Sequence, residues 1–240
     1  MKKKLVSILV LASFALLFQF AWNDIDNRFV TYIVNPKKQN LSFYWQDEKQ
    51  VNFGSIQNLK LWLAKNKKEL VFATNGGMYK TDKSPQGLFI ENQICKSKLD
   101  TTSGKGNFYL KPNGVFYLTN SNKAIISKTE DFVIDKKIKF ATQSGPMLVI
   151  NNEIHSSFSK NSTNLNIRNG VGILPNNEIL FVMSKKEINF YDFAAYFKSK
   201  GCKNALYLDG FVSKTYCPKE NSLQIDGDFG VIIGVTKDKK

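Results

Sequence analysis

The sequence predicts an α+β fold: a mixed, strand-rich single domain with antiparallel hairpins and at least two packed helices. The first observation behind this is a strand-turn-strand pattern that recurs without a fixed period. Leu88-Phe89-Ile90 runs into Glu91-Asn92, Phe108-Tyr109-Leu110 into Pro112-Asn113-Gly114, Leu148-Val149-Ile150 into Asn151-Asn152, and Ile173-Leu174 into Pro175-Asn176-Asn177. Another apolar run follows each turn, and Asn and Gly tolerate the positive φ of tight turns, so each pattern predicts an antiparallel hairpin. The second observation is a pair of stretches with helical periodicity: Ile56, Leu59, Trp62 and Leu63 after Ser55, and Phe190, Phe193, Ala194 and Phe197 after Asn189. Ser55 and Asn189 are good N-cap residues for the helices that the spacing predicts. The third is that no Pro/Gly/Ser-rich linker divides the chain before the C-terminal lysine-rich tail. One domain over residues 23–240 is therefore expected.

Taken from the start, Lys2, Lys3 and Lys4 precede an apolar run from Leu5 to Phe20, and Asn23-Asp24 closes it. Charge, then an apolar stretch, then polar chain is the layout of an export signal. The run is interrupted by Ser7, Ser13 and Gln19 and is shorter than the roughly 20 residues of a spanning helix. Residues 1–22 are thus expected to be a cleaved export signal. An uncleaved anchor is the alternative, because Phe18, Phe20 and Trp22 crowd the place where a peptidase wants small side chains. The expected location is the periplasm or the cell exterior, with membrane contact only through that segment if it is retained. Further along, the second helix runs out at Lys198-Ser199-Lys200-Gly201, where basic residues suit the negative helix end and Gly suits a left-handed cap. The strand expected from Ala205 to Leu208 carries Asp209-Gly210 at its carboxyl end.

A net charge of +14 usually points to an anionic partner. Here Arg28 and Arg168 are the only arginines among 34 basic residues, and the lysines are scattered. Phosphate readout on nucleic acid favours Arg, so no nucleic-acid partner is expected. Cys95, Cys202 and Cys217 cannot all pair with one another. In an oxidising compartment Cys202 and Cys217 are the natural bridge, and three free thiols are the alternative. With His155 as the single histidine and no CxxC spacing, a zinc site is not expected, and the residues name no cofactor.

Five short segments are more polar and glycine-rich than their surroundings: Thr74-Asn75-Gly76-Gly77-Met78-Tyr79, Ser84-Pro85-Gln86-Gly87, Gln143-Ser144-Gly145-Pro146, Arg168-Asn169-Gly170-Val171-Gly172 and Tyr207-Leu208-Asp209-Gly210. In each, glycine lets the backbone approach something closely or take a conformation closed to other residues. Taken singly, each is also readable as an ordinary turn.

In this order and spacing, four of these segments resemble the phosphodiester glycosidase family, over about residues 72–235. The family resemblance implies a mixed α and β domain and cleavage of a sugar from an anomeric phosphodiester. Phe211 departs from the pattern, standing where many relatives have a further small residue. A sugar 1-phosphodiester has a charged leaving group, so its hydrolysis needs a cation and N–H donors on phosphate more than strong acid assistance. Arg168 offers a planar fork for two phosphate oxygens. Asn75 and the N–H groups around Gly76, Gly77, Ser144 and Gly145 are the remaining candidate donors, with Asn169 and Gly210 completing the substrate-binding set. Asp209 would face the anomeric carbon, stabilising positive charge, attacking it or activating water. Structural readings stay open: Arg168 as half of a buried ion pair, Asp209 as a turn cap, His155 as a core imidazole. A second carboxylate is open among Asp82, Glu153 and Asp228. The expected function is an envelope hydrolase releasing a sugar from a glycosyl 1-phosphodiester. The alternatives are a non-catalytic sugar-phosphate-binding module and a phosphodiesterase that breaks the P–O bond.

Overall fold

A computed structural model describes residues 26–209 and 212–239. The expected export segment and Gly210 lie outside the described residues. Three antiparallel sheets form the body. The first is six-stranded and orders β1 (Phe29–Val34), β12 (Ile179–Ser184), β11 (Asn169–Ile173), β13 (Ala205–Tyr207), β9 (Met147–Ile150) and β10 (Glu153–Ile154). The second orders β15 (Ser222–Leu223), β14 (Thr215–Cys217), β3 (Lys68–Asn75), β16 (Ile232–Asp238) and β2 (Asn40–Tyr44). The third orders β5 (Ile94–Ser97), β4 (Phe89–Glu91), β8 (Ile138–Ser144), β6 (Gly114–Thr119) and β7 (Ala124–Lys128).

All three sheets turn one face toward a shared core, which explains strands that are apolar on both sides. In β12, Ile179, Phe181 and Met183 enter the shared core while Leu180 and Val182 face outward against a helix. That is period-two alternation with both faces covered. Rings from different sheets meet at the centre: Phe43 lies 5.4 Å from both Phe116 and Phe140, and Phe72 lies 5.2 Å from Phe181. Each buried Phe is worth roughly 1.5–3 kcal/mol of hydrophobic transfer, so this junction is a main source of cohesion.

The helices cover two outer faces. Helix α1 (Ile56–Lys65) lays Ile56, Leu59 and Leu63 on the second sheet, with Ser55 Oγ accepting from Asn58 N at 3.2 Å as expected. Helix α2 (Phe190–Ser199) lays Phe190, Phe193 and Phe197 on the first sheet, and Asn189 Oδ1 accepts from Asp192 N at 2.8 Å. Gly201 takes φ +80°, with Gly201 N bonding Lys198 O and Cys202 N bonding Phe197 O, a Schellman stop.

Three of the four expected hairpins form: β4–β5 turns through Asn92 and Gln93, β9–β10 through Asn151 and Asn152, and β11–β12 closes beside Asn177, all at positive φ. The fourth does not. Asn107–Tyr109 is a 3-10 turn instead of a strand, with Phe108 buried and its carbonyl taken by the Asn113 amide. Pro112 also has no N–H to give a ladder. The strand after it, β6, pairs with β7 and β8. Cys202 and Cys217 are separate buried thiols in different apolar clusters and Cys95 is exposed, so the free-thiol alternative describes this structure. Burial pushes Cys202 up to about 12. Among the described residues no helix is long and apolar enough to cross a membrane.

Candidate active site

The glycine-rich segments sit at strand ends, and the folding of the three sheets brings those ends together. Asn75 closes β3, Ser144 closes β8, Asn169 opens β11, and Asp209 lies two residues beyond β13. β13 is short, buried and central in its sheet, with Gly170 opposite Tyr207, and Leu208 N continues that ladder to Asn169 O at 3.1 Å.

Asp209 is seated by its backbone. Its N–H donates to Asn169 Oδ1 at 2.9 Å, and its carbonyl accepts from Asn75 Nδ2 at 3.2 Å and from Ser213 Oγ at 2.8 Å. Ser144 Oγ donates to the preceding carbonyl, Leu208 O, at 2.6 Å. Asn169 links the parts: its Nδ2 has Thr74 Oγ1, Asn75 O and Asn75 Oδ1 within 3.0 Å. Asn75 Oδ1 also accepts from Lys214 N at 3.0 Å. The amide orientation of Asn169 follows from the Asp209 N–H, which requires an oxygen. Asn75, Ser144 and Asn169 are all buried. The side-chain hydrogen bonds they make run to other parts of the protein and not to open space. Those bonds fix the turn that carries Asp209.

Gly76 and Gly77 are required for closeness and not for φ. A Cβ on Gly76 would stand 2.6 Å from Ile233 Cγ1, and one on Gly77 would stand 2.6 Å from Thr142 Oγ1. Gly76 N is committed to Val231 O at 2.8 Å. Gly145 is pressed against the segment that fails to form a strand, with Phe108 O 2.8 Å from a hypothetical Cβ.

Arg168 departs most from expectation. It is wholly buried, and its side chain lies on the α2 face of the first sheet, with the guanidinium carbon 3.6 Å from the Phe190 ring centre. Nε donates to Ile188 O at 2.8 Å and Nη2 to Asn164 O at 2.9 Å, while Nη1 has no hydrogen-bond partner at bonding geometry among the described residues. Burial lowers its pKa, opposed by the nearby Tyr207 hydroxyl. An exposed fork gripping phosphate is not this geometry; the partners seen are main-chain and amide carbonyls and the Phe190 and Tyr207 rings. His155 is a core imidazole: Ser157 N donates to Nδ1, so Nε2 carries the proton and donates to Lys111 O at 3.1 Å, and the ring stacks on Phe158.

Tyr79, Lys83 and Asp228 lie near one another, and of these Lys83 was not singled out by sequence. Burial and then the charge of Asp209 push the Tyr79 hydroxyl up, while the hydroxyl donates to Asp228 O at 2.8 Å. Lys83 Nζ lies 2.7 Å from Asp228 Oδ2 and 4.9 Å from the Tyr79 ring centre. Of the three carboxylates left open, Asp228 lies beside Tyr79, its main-chain carbonyl accepting from the Tyr79 hydroxyl and its carboxylate pairing with Lys83. Glu153 is an exposed partner of Lys198 on the outer hairpin, and Asp82 caps Ser84. Tyr79 stood inside a noted segment and Asp228 among the candidate carboxylates, but Lys83 carried no signal of its own, and only the fold brings it to them.

Residues 68–236 match the family pattern of phosphodiester glycosidases. The Escherichia coli K12 protein YigE, described as uncharacterized, is 39% identical over 186 residues, covering 77% of this chain and 72% of that protein. The catalytic domain of zebrafish N-acetylglucosamine-1-phosphodiester alpha-N-acetylglucosaminidase, auto-inhibited by its pro-peptide, superposes with a TM-score of 0.57 at 13% identity, covering 89% of this chain and 85% of that one. A putative exported protein of Burkholderia pseudomallei K96243 superposes with a TM-score of 0.57 at 9% identity, covering 86% of this chain and 73% of that one. These superpositions speak to the fold. The chain belongs to the phosphodiester glycosidase family.

Proposed function

We propose that this protein is an exported envelope hydrolase that releases a sugar from a glycosyl 1-phosphodiester, with Asp209 as the carboxylate at the anomeric carbon. The observation that carries this reading is the convergence of three buried side chains, Asn75, Ser144 and Asn169, on the backbone of Leu208-Asp209. A turn cap would not need three strand ends to fix it, whereas a reacting carboxylate gains from a rigid seat. Family membership supports hydrolysis, and the activity named for the zebrafish relative supports a sugar 1-phosphodiester as the substrate class. Lys83, half-exposed beside Tyr79 and Asp228, is the cation we assign to the departing phosphate. Arg168 becomes a positioning residue. It ties Ile188 and Asn164 to the start of β11, one residue from the Asn169 amide that receives Asp209 N–H.

The test is a panel of sugar 1-phosphodiesters with wild type, Asp209→Asn and Arg168→Lys. Asp209→Asn should lower kcat on the order of 10²–10⁴-fold with KM little changed, because its charge acts mainly as positive character develops on the sugar. Arg168→Lys keeps the charge but loses the paired bonds to Ile188 and Asn164, so it should lower the melting temperature along with the rate. Unchanged turnover in Asp209→Asn would overturn the assignment.

A further inference from the structure

A concavity lies at the Glu91 end of β4, whereas the Gln143-Ser144 end of β8 adjoins the candidate site. There the β4–β5 hairpin turn, the loop after β2 and helix α1 enclose about 440 Å³, within the range of small-ligand pockets. Its walls are preformed. Trp62 Nε1 donates to Glu48 Oε2 at 3.0 Å, and the indole stands edge-on to Tyr44 and Phe53, with centroids 6.2 and 5.3 Å away. The loop is pinned across its base by Gln46 Nε2 on Asn52 Oδ1 at 2.9 Å.

Glu91 gives this cavity a functional aspect. The residue is half-buried and lines the cavity, yet its carboxyl has no hydrogen-bond partner among the described residues. Burial, only partly opposed by Lys96, pushes it up to about 7. A desolvated polar group without a partner costs stability, and a ligand that supplied one would recover that cost. Lys68 and Lys96 line the same space without an ion-pair partner among the described residues, and Glu48 and Asp47 add two further carboxylates, Asp47 Oδ1 already accepting from Lys49 N and Val51 N. A compact anion would meet Glu48 and Glu91 there, and a compact cation would meet the two lysines. A neutral polyol suits both, because each hydroxyl donates to a carboxyl oxygen and accepts from an ammonium, while its C–H faces pack on Trp62 and Tyr44.

We propose that the cavity bounded by Tyr44, Trp62, Lys68, Glu91 and Lys96 is a second carbohydrate subsite, taking one neutral sugar unit apart from the Asp209 centre. The proposal does not rest on the hydrolase reading. The test is saturation-transfer NMR on the folded protein with millimolar glucose, mannose, N-acetylglucosamine and chitotriose, and with choline and inorganic phosphate as charged probes. At least one sugar should show transfer that weakens roughly tenfold or more in affinity in Glu91→Ala and in Trp62→Ala, and that persists in Asp209→Asn. Trp62 also packs on α1's neighbours, so Lys96→Ala, a surface change, serves as the second variant and should weaken the same signal. Absence of transfer from every sugar, transfer unchanged in Glu91→Ala and Lys96→Ala, or preference for choline or phosphate over the sugars would each overturn the proposal. Loss of the sugar signal in Asp209→Asn alone would assign the binding to the catalytic centre and would also overturn it.

Discussion

Asn169 is where a single side chain serves most of the candidate site. Its amide donates toward Thr74 and Asn75 and its oxygen receives the Asp209 N–H, so Asn169→Ala would orphan several buried groups at once. At about 1–3 kcal/mol for each buried group left unsatisfied, the expected loss is about 2–4 kcal/mol, read by thermal or denaturant unfolding. Ser144→Ala strips one donor from Leu208 O and should cost about 1 kcal/mol. Equal losses in the two variants would contradict the network. Gly77 offers a second reading at this scale. A left-handed φ was one reason to expect glycine there, but the backbone has no positive φ at Gly77, and the restriction is Thr142 Oγ1 at 2.6 Å from a hypothetical Cβ. Gly77→Ala should therefore destabilise, and Thr142→Ala should relieve it, with a coupling of about 1 kcal/mol in a double-mutant cycle. Strict additivity would contradict the steric account. The need for glycine was legible in the sequence, whereas its cause depends on a strand far away in the chain.

At the scale of elements, local chemistry was readable where it was sufficient by itself. Ser55 and Asn189 cap their helices and Gly201 ends the second, because these choices depend on neighbours within one turn. The Asn-rich hairpins formed for the same reason. The expected strand at Phe108 failed because the packing of its segment against Ser144-Gly145-Pro146 outweighs local apolarity. Burial inside elements also predicts a pH response. Glu91 on β4 titrates at about 7 folded against 4.5 in the open chain, so the folded state holds more protons between those values. Stability from this group therefore falls as pH rises from about 4.5 to 7 and is flat outside that window. His155 acts with the opposite sign. Its folded pKa is lowered by burial, so its contribution is complete above the ordinary value of 6.5 and is lost as pH falls below it. Glu91→Gln should remove the first slope, leaving stability that rises or stays level from pH 5 to 7 in urea titrations. A slope unchanged by Glu91→Gln would contradict the desolvated carboxyl.

At the scale of the whole molecule, the three-sheet arrangement is what the sequence held least visibly. Runs such as Ile179 to Met183 read as buried strands, but that one face meets the shared core and the other meets α2 depends on strand order set by distant pairings. The same pairings carry β3, β8, β11 and β13 to a common end, so the glycine-rich segments could be recognised as a set while their roles could not. Asn75, Ser144 and Asn169 turned out to support Asp209, Arg168 proved buried, and Lys83 came to lie beside Asp228. The account therefore rests on one carboxylate acting at carbon. Turnover of a sugar 1-phosphodiester in ¹⁸O-labelled water, with mass spectrometry of both products, tests this most directly. The account predicts that the label enters the released sugar and that Asp209→Asn suppresses its appearance. Label found in the phosphate instead would mean P–O cleavage and would contradict it.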